Sequence, residues 1–348
     1  MVVIRNQENI IAQIIDANLD RAREGLRVLE DWCRFGLSRE DLVVEIKDCR
    51  QKLGQKHLKR YKISRFTSQD PTPQLTHPAQ NLKQSPYDLI CANSSRVQES
   101  LRVIEEYALI LDKNLSDLAS EIRYKIYKLE IDIISADEKF KRKKILEEAN
   151  VYVITSPKDN LIEIIQKSLS AGIKIIQLRI KDNILQKDID QAKEISKLCK
   201  ENNALFIIND RVDIALLVDA DGVHLGQQDM KVKDARNILG KSKIIGLSTE
   251  NINQMKNYKN EWIDYFGLGP IYQSRTKNKQ PIGISAIKNI NNISTPIFVI
   301  GGIDFNNINE LKNAGVKKVA IVSTIMDSSD PLEDSKKLIE LMNHEYSN

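Results

Sequence analysis

The sequence lacks the features that mark several specialised classes of protein. It has no apolar run of about 18 residues, so no membrane span is expected. Its four cysteines are scattered without metal-binding spacing, which favours a reducing, cytoplasmic setting. The four histidines are scattered as well, so a His-based zinc site is not expected.

Aromatic residues and excess charge are also scarce. Only 5% of residues are aromatic and the formal net charge is +4, so no nucleic-acid partner is indicated. The N-terminus MVVIRNQENIIAQ has no long apolar stretch and does not resemble a signal peptide. No Gly-rich P-loop is present. The composition, 41% hydrophobic and 29% charged, is that expected of a soluble globular protein.

The chain has 348 residues, which suggests two domains, and its texture changes near residue 145. Helical periodicity dominates before that point and Gly is scarce there. Afterwards, short Val/Ile-rich runs alternate with amphipathic segments. The charged junction EKFKRKKILEEAN (138–150) favours a solvated helix end or a linker. We therefore predict a helical domain over 1–142 and an α/β domain over 143–348.

The second half contains eight strand candidates separated by amphipathic segments or tight turns. They are VYVIT (151–155), IKIIQLRI (173–180), LFIIND (205–210), GVHLG (222–226), KIIGLS (243–248), DYFGLG (264–269), PIFVIGG (296–302) and KVAIVS (318–323). Continuous apolar strands with helical crossovers indicate a parallel sheet covered on both faces. Eight such units predict a (β/α)8 TIM barrel, and a doubly wound open sheet is the alternative.

Two carboxylates follow neighbouring strand candidates. Asp210 closes the third strand and Asp229 comes shortly after the fourth. In a TIM barrel the carboxyl ends of the strands carry the active site, so both side chains can reach one point. Convergent carboxylates favour a cation between them, and Mg2+ suits such a site. The alternative is that each aspartate caps the helix that follows it.

Other strand ends carry groups suited to phosphates. Gln177, Arg179 and Lys181 alternate along the second strand, which places two cations and an amide at one strand mouth. The loop after the sixth strand delivers Ser274, Thr276 and Lys277. The last two strands end in Gly301-Gly302 and in Val322-Ser323, where this fold usually binds phosphate. The rim thus predicts two anion sites beside one metal site.

The motifs GVHLGQQD, FIIND, QLRIK, FGLGPIYQSRTK, VIGGID and IVS together resemble the thiamine-phosphate synthase family, over residues of about 150–345. The resemblance implies a transferase that joins hydroxymethylpyrimidine diphosphate to a thiazole phosphate, carboxylated or not, and releases pyrophosphate. The implied partners are these small molecules, and the implied cofactor is Mg2+. The oligomeric state stays open.

The resemblance implies a role for each matching residue. It implies that Asp210 and Asp229 ligate Mg2+. The positions matched to the pyrimidine diphosphate are Gln177, Leu178, Arg179, Ile180, Lys181, Asn209, Ser248 and Lys277. The positions matched to the thiazole phosphate are Ser274, Arg275, Thr276, Gly302, Val322 and Ser323. The candidate catalytic residues are Arg179, Lys181, Lys277 and Ser248.

One residue departs from the family pattern. The family often has a histidine two residues after Ser248, where this chain has Glu250. That histidine matters to the related thiazole tautomerases, which share the barrel and make no carbon–nitrogen bond. Retention of Asp210, Asp229 and Lys277 favours the synthase over a tautomerase or an inactive regulatory barrel. We interpret His224 as an inward-facing histidine whose hydrogen bonds are satisfied.

The first half contains an internal repeat. ANLDRAREGLRVLE (17–30) and ANSSRVQESLRVIE (92–105) align with an offset of 75. The identical polar pairs are Asn18/Asn93, Arg21/Arg96, Glu24/Glu99, Arg27/Arg102 and Glu30/Glu105. Each copy has a helical apolar stripe and precedes another helical segment, near 40–60 and 115–135. We predict a small all-α domain built from a duplicated helical hairpin.

The function of that domain has two interpretations. Ion pairing on helix faces explains part of the repeat. The segment also resembles the helical N-terminal extension of some thiamine-phosphate synthases, including cyanobacterial ones, and related domains are linked to hydroxymethylpyrimidine phosphate kinase activity. In the polar loop 64–86, the pattern R-D-T-x-x-D of those domains becomes Arg65-Phe66-Thr67-Ser68-Gln69-Asp70. The alternatives are an interaction surface and a pyrimidine-phosphate site around Arg21 and Arg96.

Overall fold

A computed structural model describes residues 6–65, 85–180, 184–258, 262–274, 279–288 and 290–343. The chain divides into two compact units, Met1–Glu138 and Lys139–Asn348. The predicted boundary after residue 142 lies four residues beyond this division. Whether a domain that begins there folds on its own stays a prediction. None of the described helices is both long enough and apolar enough to span a membrane.

The first unit is helical. Its elements are α1 (Gln7–Asp31), a π-helical turn (Trp32–Gly36), α2 (Glu40–Lys56), α3 (Lys59–Lys62), α4 (Pro86–Leu111) and the start of α5 (Lys113–Glu148). The two repeat copies lie in α1 and α4, and the helices that follow each copy are α2 and α5. The predicted duplicated hairpin is therefore confirmed. Most of the polar loop, residues 66–84, lies outside the described part of the chain.

The two repeat helices share local hydrogen bonds and pack closely. The side-chain amides of Asn18 and Asn93 donate to the carbonyls of the residues four positions earlier, at 2.9 and 2.8 Å. A Cβ on Gly25 would lie 2.7 Å from Cγ2 of Val97, so α1 and α4 meet where α1 has no side chain. The repeated Asn thus serves the helix backbone, and the apolar stripes form the core of this unit.

The second unit alternates strands and helices. Its strands are β1 (Val151–Ile154), β2 (Ile175–Leu178), β3 (Leu205–Asn209), β4 (Gly222–Leu225), β5 (Ile244–Thr249), β6 (Tyr265–Leu268), β7 (Ile297–Ile300) and β8 (Val319–Ile321). The helices are α6 (Leu161–Ser170), α7 (Gln186–Glu201), α8 (Val212–Leu217), α9 (Val232–Leu239), α10 (Ile252–Lys256), α11 (Ile308–Asn313), α12 (Ser323–Met326) and α13 (Pro331–Asn343). Two 3-10 turns, Ile284–Ile287 and Ile290–Asn292, precede β7.

The strands close into a barrel in sequence order, with every pairing parallel and β1 bonded to β8. All eight predicted strands are confirmed, and the alternative of an open sheet is wrong. Side chains on alternate positions divide into an outer layer under the helices and an inner cluster in the barrel. In the inner cluster, the rings of Tyr152, Tyr265 and Phe298 make edge-to-face contacts with centroids 5.3–5.7 Å apart.

The charged junction is the end of a helix with mostly exposed charged side chains, as the first of its two interpretations expected, and from Lys139 onward it belongs to the second unit. The segment is helical to Glu148, and the Arg142 side chain is mostly buried. Its guanidinium donates to Asp221 Oδ1 at 2.9 Å and to the Ser242 carbonyl at 3.2 Å. Arg142 is the exception among these charged residues, because its tertiary partners neutralise it and cover most of its side chain. A domain that began at residue 143 would lack this contact.

Candidate active site at the rim of the barrel

The first carboxylate stands at the exit of β3 in an unusual backbone conformation. Asn209 pairs with His224 across β3 and β4, and the Asp210 amide donates to the His224 carbonyl at 2.8 Å. Asp210 has φ of 62°, in the left-handed region that Asn and Asp tolerate better than most residues. Its exposed carboxylate accepts a 2.5 Å hydrogen bond from the side-chain amide of Asn209. Strained backbone of this kind is concentrated at functional sites.

The second carboxylate folds back onto the end of β4. Asp229 Oδ2 accepts the Gly226 amide hydrogen at 2.6 Å. A Cβ on Gly226 would lie 2.7 Å from the same oxygen, so glycine leaves room for this contact. Because β3 and β4 are paired neighbours about 4.8 Å apart, the carboxylates of Asp210 and Asp229 belong to one region of the rim.

Neither aspartate is the N-cap residue of the helix that follows it. Helix α8 begins after Arg211 and α9 begins after Lys231, and neither of these N-cap residues is aided by a capping side chain. The N-cap positions are one residue after Asp210 and two residues after Asp229. Two exposed carboxylates at neighbouring strand ends match the oxygen ligands that Mg2+ takes from proteins, with substrate phosphates and water completing the shell.

The end of β2 contributes one polar side chain to the barrel interior. Gln177 is buried, and its amide donates to Tyr152 Oη at 2.6 Å. Arg179 follows on the same side by alternation, is half-buried, and donates its backbone N–H to Thr155 Oγ1 at 3.1 Å. The side chains of Leu178 and Ile180 belong to the outer layer. A substrate contact from those two residues must therefore use the backbone. Lys181 lies outside the described residues.

A chain of hydrogen bonds crosses the barrel from Gln177 to Ser248. Tyr152 Oη lies 2.8 Å from Tyr265 Oη, and Tyr265 Oη lies 3.0 Å from His224 Nδ1. His224 Nε2 lies 2.9 Å from Ser248 Oγ. The interpretation of His224 as an inward, satisfied histidine agrees with these contacts. Burial raises the pKa of both tyrosines, so the phenols remain protonated.

The donors in this chain have one consistent direction. Tyr152 accepts from Gln177, so its own proton is available to Tyr265, which in turn donates to His224 Nδ1. His224 then carries its proton on Nε2 and donates it to Ser248 Oγ. In the reverse direction the buried Tyr152 hydroxyl would have no acceptor within this chain, which is costly. The Ser248 proton is therefore left to point away from His224.

Two glycines make the space for this chain. A Cβ on Gly246 would lie 2.1 Å from the Tyr265 ring, and one on Gly267 would lie 3.2 Å from His224 Cε1. Sequence reasoning missed Tyr152 and Tyr265 as site residues. The available signal was their occurrence at inward positions of β1 and β6 beside small residues on the neighbouring strands.

The ends of β6, β7 and β8 are held together by backbone contacts. The amides of Ile271 and Tyr272 donate to the carbonyls of Ile300 and Gly301, at 2.9 and 3.0 Å. Gly302 has φ of 63°, and a Cβ there would lie 2.4 Å from the Gln273 carbonyl oxygen. The chain therefore brings Gly302 against the residue that precedes Ser274.

The ends of β6 and β7 form two sides of a corner at the rim, and the end of β8 forms the third. Val322 directly precedes α12, which begins at Ser323, and both residues are half-buried. Thr324 Oγ1 donates to the Ile303 carbonyl at 2.8 Å and ties this helix to the loop after β7. Of the predicted thiazole phosphate set, the described residues Ser274, Gly302, Val322 and Ser323 thus lie on three linked strand ends. Arg275, Thr276 and Lys277 lie outside the described part of the chain.

Glu250 stands at the position where the family pattern often has a histidine, and its side chain is paired. Its carboxylate accepts a hydrogen bond from Lys279 Nζ at 2.6 Å, and its amide donates to Gln254 Oε1 at 2.7 Å. Lys279 lies just beyond the segment that carries Lys277. The ion pair therefore joins Lys279 to the loop after β5.

Three metal-capable side chains meet elsewhere in the described residues. Asp16, Asp20 and His57 of the helical unit place one ligand atom each within 4.8 Å of one another. Both aspartates are also paired with Arg65. The proposed metal site at the rim of the barrel consists instead of two carboxylates, those of Asp210 and Asp229.

Comparison with known proteins agrees with the motifs. A family described as "Thiamine monophosphate synthase" matches residues 151–325, and one described as "ThiD2 family" matches residues 13–132. The thiamine-phosphate synthase of Prochlorococcus marinus strain AS9601 is 52% identical, with 96% of each chain covered. That of Prochlorococcus marinus subsp. pastoris (strain CCMP1986) is 49% identical, covering 99% of this chain and 98% of the relative.

A solved structure resembles the second unit. The thiamine phosphate pyrophosphorylase of Pyrococcus furiosus matches with a TM-score of 0.52 and 30% identity. The match covers 58% of this chain and 97% of that chain. The likeness therefore extends over the barrel, whereas the relatives from Prochlorococcus also cover the helical unit.

Proposed function

The chain belongs to the thiamine-phosphate synthase family, and from this we propose that its barrel joins 4-amino-2-methyl-5-hydroxymethylpyrimidine diphosphate to 4-methyl-5-(2-phosphoethyl)thiazole, with Mg2+ held by Asp210 and Asp229. The observation that carries the proposal is the position of these two carboxylates on the paired ends of β3 and β4. When bound, Mg2+ would add positive charge where the diphosphate of the substrate lies.

The reaction needs charge stabilisation more than a protein nucleophile. The carbon–oxygen bond to the diphosphate breaks, and its electron pair leaves with pyrophosphate. The thiazole nitrogen supplies the electron pair of the new bond to the same carbon. The aminopyrimidine ring can spread the positive charge that develops meanwhile. Arg179, Lys181 and Lys277 then act by stabilising negative charge on the departing oxygens.

Ser248 has a role that its hydrogen bonds support. Because His224 donates to Ser248 Oγ, the serine proton is directed elsewhere and can be donated to the pyrimidine diphosphate. Gln177 fixes the far end of the same chain through Tyr152. These residues therefore orient one donor at the rim without changing their own charge.

In this proposal the thiazole phosphate binds at the corner formed by the ends of β6, β7 and β8. Positive φ at Gly302 and the start of α12 at Ser323 expose backbone N–H groups there, which suit a phosphate. Holding both substrates on one rim converts a bimolecular encounter into a local one. Oriented placement of this kind contributes to the rate in addition to the charge effects.

The direct test is pyrophosphate release by the purified full-length protein. With the diphosphate, the thiazole phosphate and Mg2+, we expect one pyrophosphate for each thiamine phosphate formed, and loss of both products when EDTA removes the metal. Isomerisation of a thiazole substrate without pyrophosphate release would instead indicate a tautomerase. Full activity in EDTA would remove the metal from the proposal while leaving the transferase.

The Ser323→Glu variant tests the thiazole phosphate corner. Its added negative charge lies where the phosphate is expected, so the KM for the thiazole phosphate should rise roughly tenfold or more. The KM for the diphosphate should stay near its wild-type value. The Ser323→Gln variant adds similar bulk without charge and separates the two effects. An unchanged KM in the Glu variant would exclude β8 from this site.

A further inference from the structure

Helix α1 has a second apolar stripe besides the one that it buries in the core of the helical unit. On α1 and the turn after it, half-buried and exposed apolar residues recur at helical spacing, so they share one side of the helix. They are Ile10, Ile14, Ala17, Val28, Trp32 and Phe35. Val28 is 41% exposed and Phe35 is 76% exposed. This side of α1 therefore presents apolar surface to solvent.

The same stripe occurs on α4, at the repeat offset of 75. The equivalent pairs are Ile14/Leu89, Ala17/Ala92, Val28/Val103, Trp32/Tyr107 and Phe35/Ile110. The members on α4 are also half-buried or exposed. Core packing explains the repeated positions that are buried. It does not explain why both copies keep apolar residues on the side that faces solvent.

Helices α1 and α4 are antiparallel neighbours that touch at Gly25. Asp112, which follows α4, pairs with Arg60 at 2.7 Å. His57, three residues before Arg60, lies 2.6 Å from Asp16 in the first half of α1. The end of α4 is therefore beside the first half of α1. A two-fold axis normal to their common plane relates the copies, so both stripes lie on one surface, the α1–α4 face, which consists of the five apolar pairs and the charged residues between them.

The middle of the α1–α4 face carries charges that are identical in the two copies. These residues, all exposed, are Arg21, Glu24, Arg96 and Glu99. Among the described residues none of the four forms a salt bridge, and Arg96 donates to the side-chain oxygen of Asn93 at 3.2 Å. Two arginines and two glutamates have no net charge. One such face can therefore meet another with arginine opposite glutamate.

Ion pairing within a helix explains other repeated charges but not these. Arg27 pairs with Glu30, and the equivalent residues of the second copy pair in the same way, at a spacing of three residues. Arg21 and Glu24 have this spacing too, yet within the described part of the chain they are not paired. A partner across an interface would give the repeated Arg21 and Glu24 a physical role.

The α1–α4 face is large enough for a stable dimer. Helix α1 has 25 residues and α4 has 26. At a rise of about 1.5 Å per residue and a width of about 10 Å per helix, the pair presents roughly 750 Å². A standard interface takes about 800 Å² from each partner. The neutral centre argues against a partner of one charge sign, such as a nucleic acid or an anionic membrane.

We propose that the α1–α4 face is an interface between two copies of this chain. The apolar stripes of one copy pack on those of the other, and the arginines in the middle of each face meet the glutamates of its partner. The shared patch suits a two-fold dimer, since such an interface uses the same surface of both subunits. The proposal is independent of the synthase assignment, because no residue of the barrel takes part.

The first test measures the mass of the full-length protein by light scattering during size-exclusion chromatography, over a range of concentrations. The wild type should have the mass of two chains. Val28→Glu should raise the dissociation constant roughly tenfold or more, because it buries an unpaired charge in the apolar stripe. Val44→Glu is the matched control, since Val44 is 66% exposed on α2, outside the face. It should leave the dimer intact, and circular dichroism should give both variants the same helix content.

The second test exchanges charges in the middle of the face. One double variant, Arg21→Glu with Arg96→Glu, carries only glutamates there, and the other, Glu24→Arg with Glu99→Arg, carries only arginines. Each should be a monomer where the wild type is a dimer, because like charges would meet. An equimolar mixture of the two should form the dimer again.

Three results would overturn the interface. The first is a monomeric wild type. The second is equal dimer stability in Val28→Glu and Val44→Glu. The third is a mixture of the two double variants that stays monomeric although each is folded.

Discussion

The Lys277→Ala variant should lose between 10²- and 10³-fold in turnover, on the order seen when one group that stabilises transition-state charge is removed. In the sequence Lys277 follows β6 and comes two residues before Lys279, which pairs with Glu250. Under the proposed mechanism, the Lys277 ammonium stabilises the departing pyrophosphate more than it helps the substrates to bind. The loss should therefore appear mainly in kcat, with little change in the KM for the thiazole phosphate.

Lys279→Ala is the matched control for this prediction. It removes a lysine two residues away on the same loop, with a known partner in Glu250. We expect it to reduce turnover far less than Lys277→Ala. Single-turnover measurements should locate the loss at the chemical step. If Lys277→Ala kept its kcat at saturating substrate and raised only KM, the residue would bind substrate without acting on the leaving group.

The Asp210→Asn variant should need at least roughly 10- to 100-fold more Mg2+ for half-maximal activity, because even residues that only support metal ligands have effects of this size. Asn tolerates the left-handed conformation at φ of 62°, so the backbone should persist and the change should be one of charge. Asp229→Asn should behave similarly, since its amide oxygen can still accept the Gly226 N–H.

Asp213→Asn is the control for both aspartate variants. Asp213 lies three residues from Asp210, is exposed, and pairs with Arg211 at 2.5 Å. Titration of activity against Mg2+ should give a wild-type curve for this variant. Unchanged Mg2+ dependence in Asp210→Asn or Asp229→Asn would remove that residue from the metal site.

The sequence by itself determined the elements and their order. Strand candidates such as LFIIND and GVHLG were identifiable because continuous apolar runs between amphipathic helices are a local property of the chain. The duplication of the first half followed from the offset of identical residues. Placement of Asp210 and Asp229 on neighbouring strand ends followed from the strand order that a closed barrel imposes.

The tertiary structure decided which side chains meet across that order. Tyr152 and Tyr265 are 113 residues apart in the chain, and their hydrogen bond exists because the barrel closes around both. Arg142 lies in a segment that is mostly exposed, yet its side chain is largely covered because Asp221 and the Ser242 carbonyl accept from it. Hydrophobic periodicity fixes the direction of a side chain within its own element, whereas its partner depends on packing between distant elements.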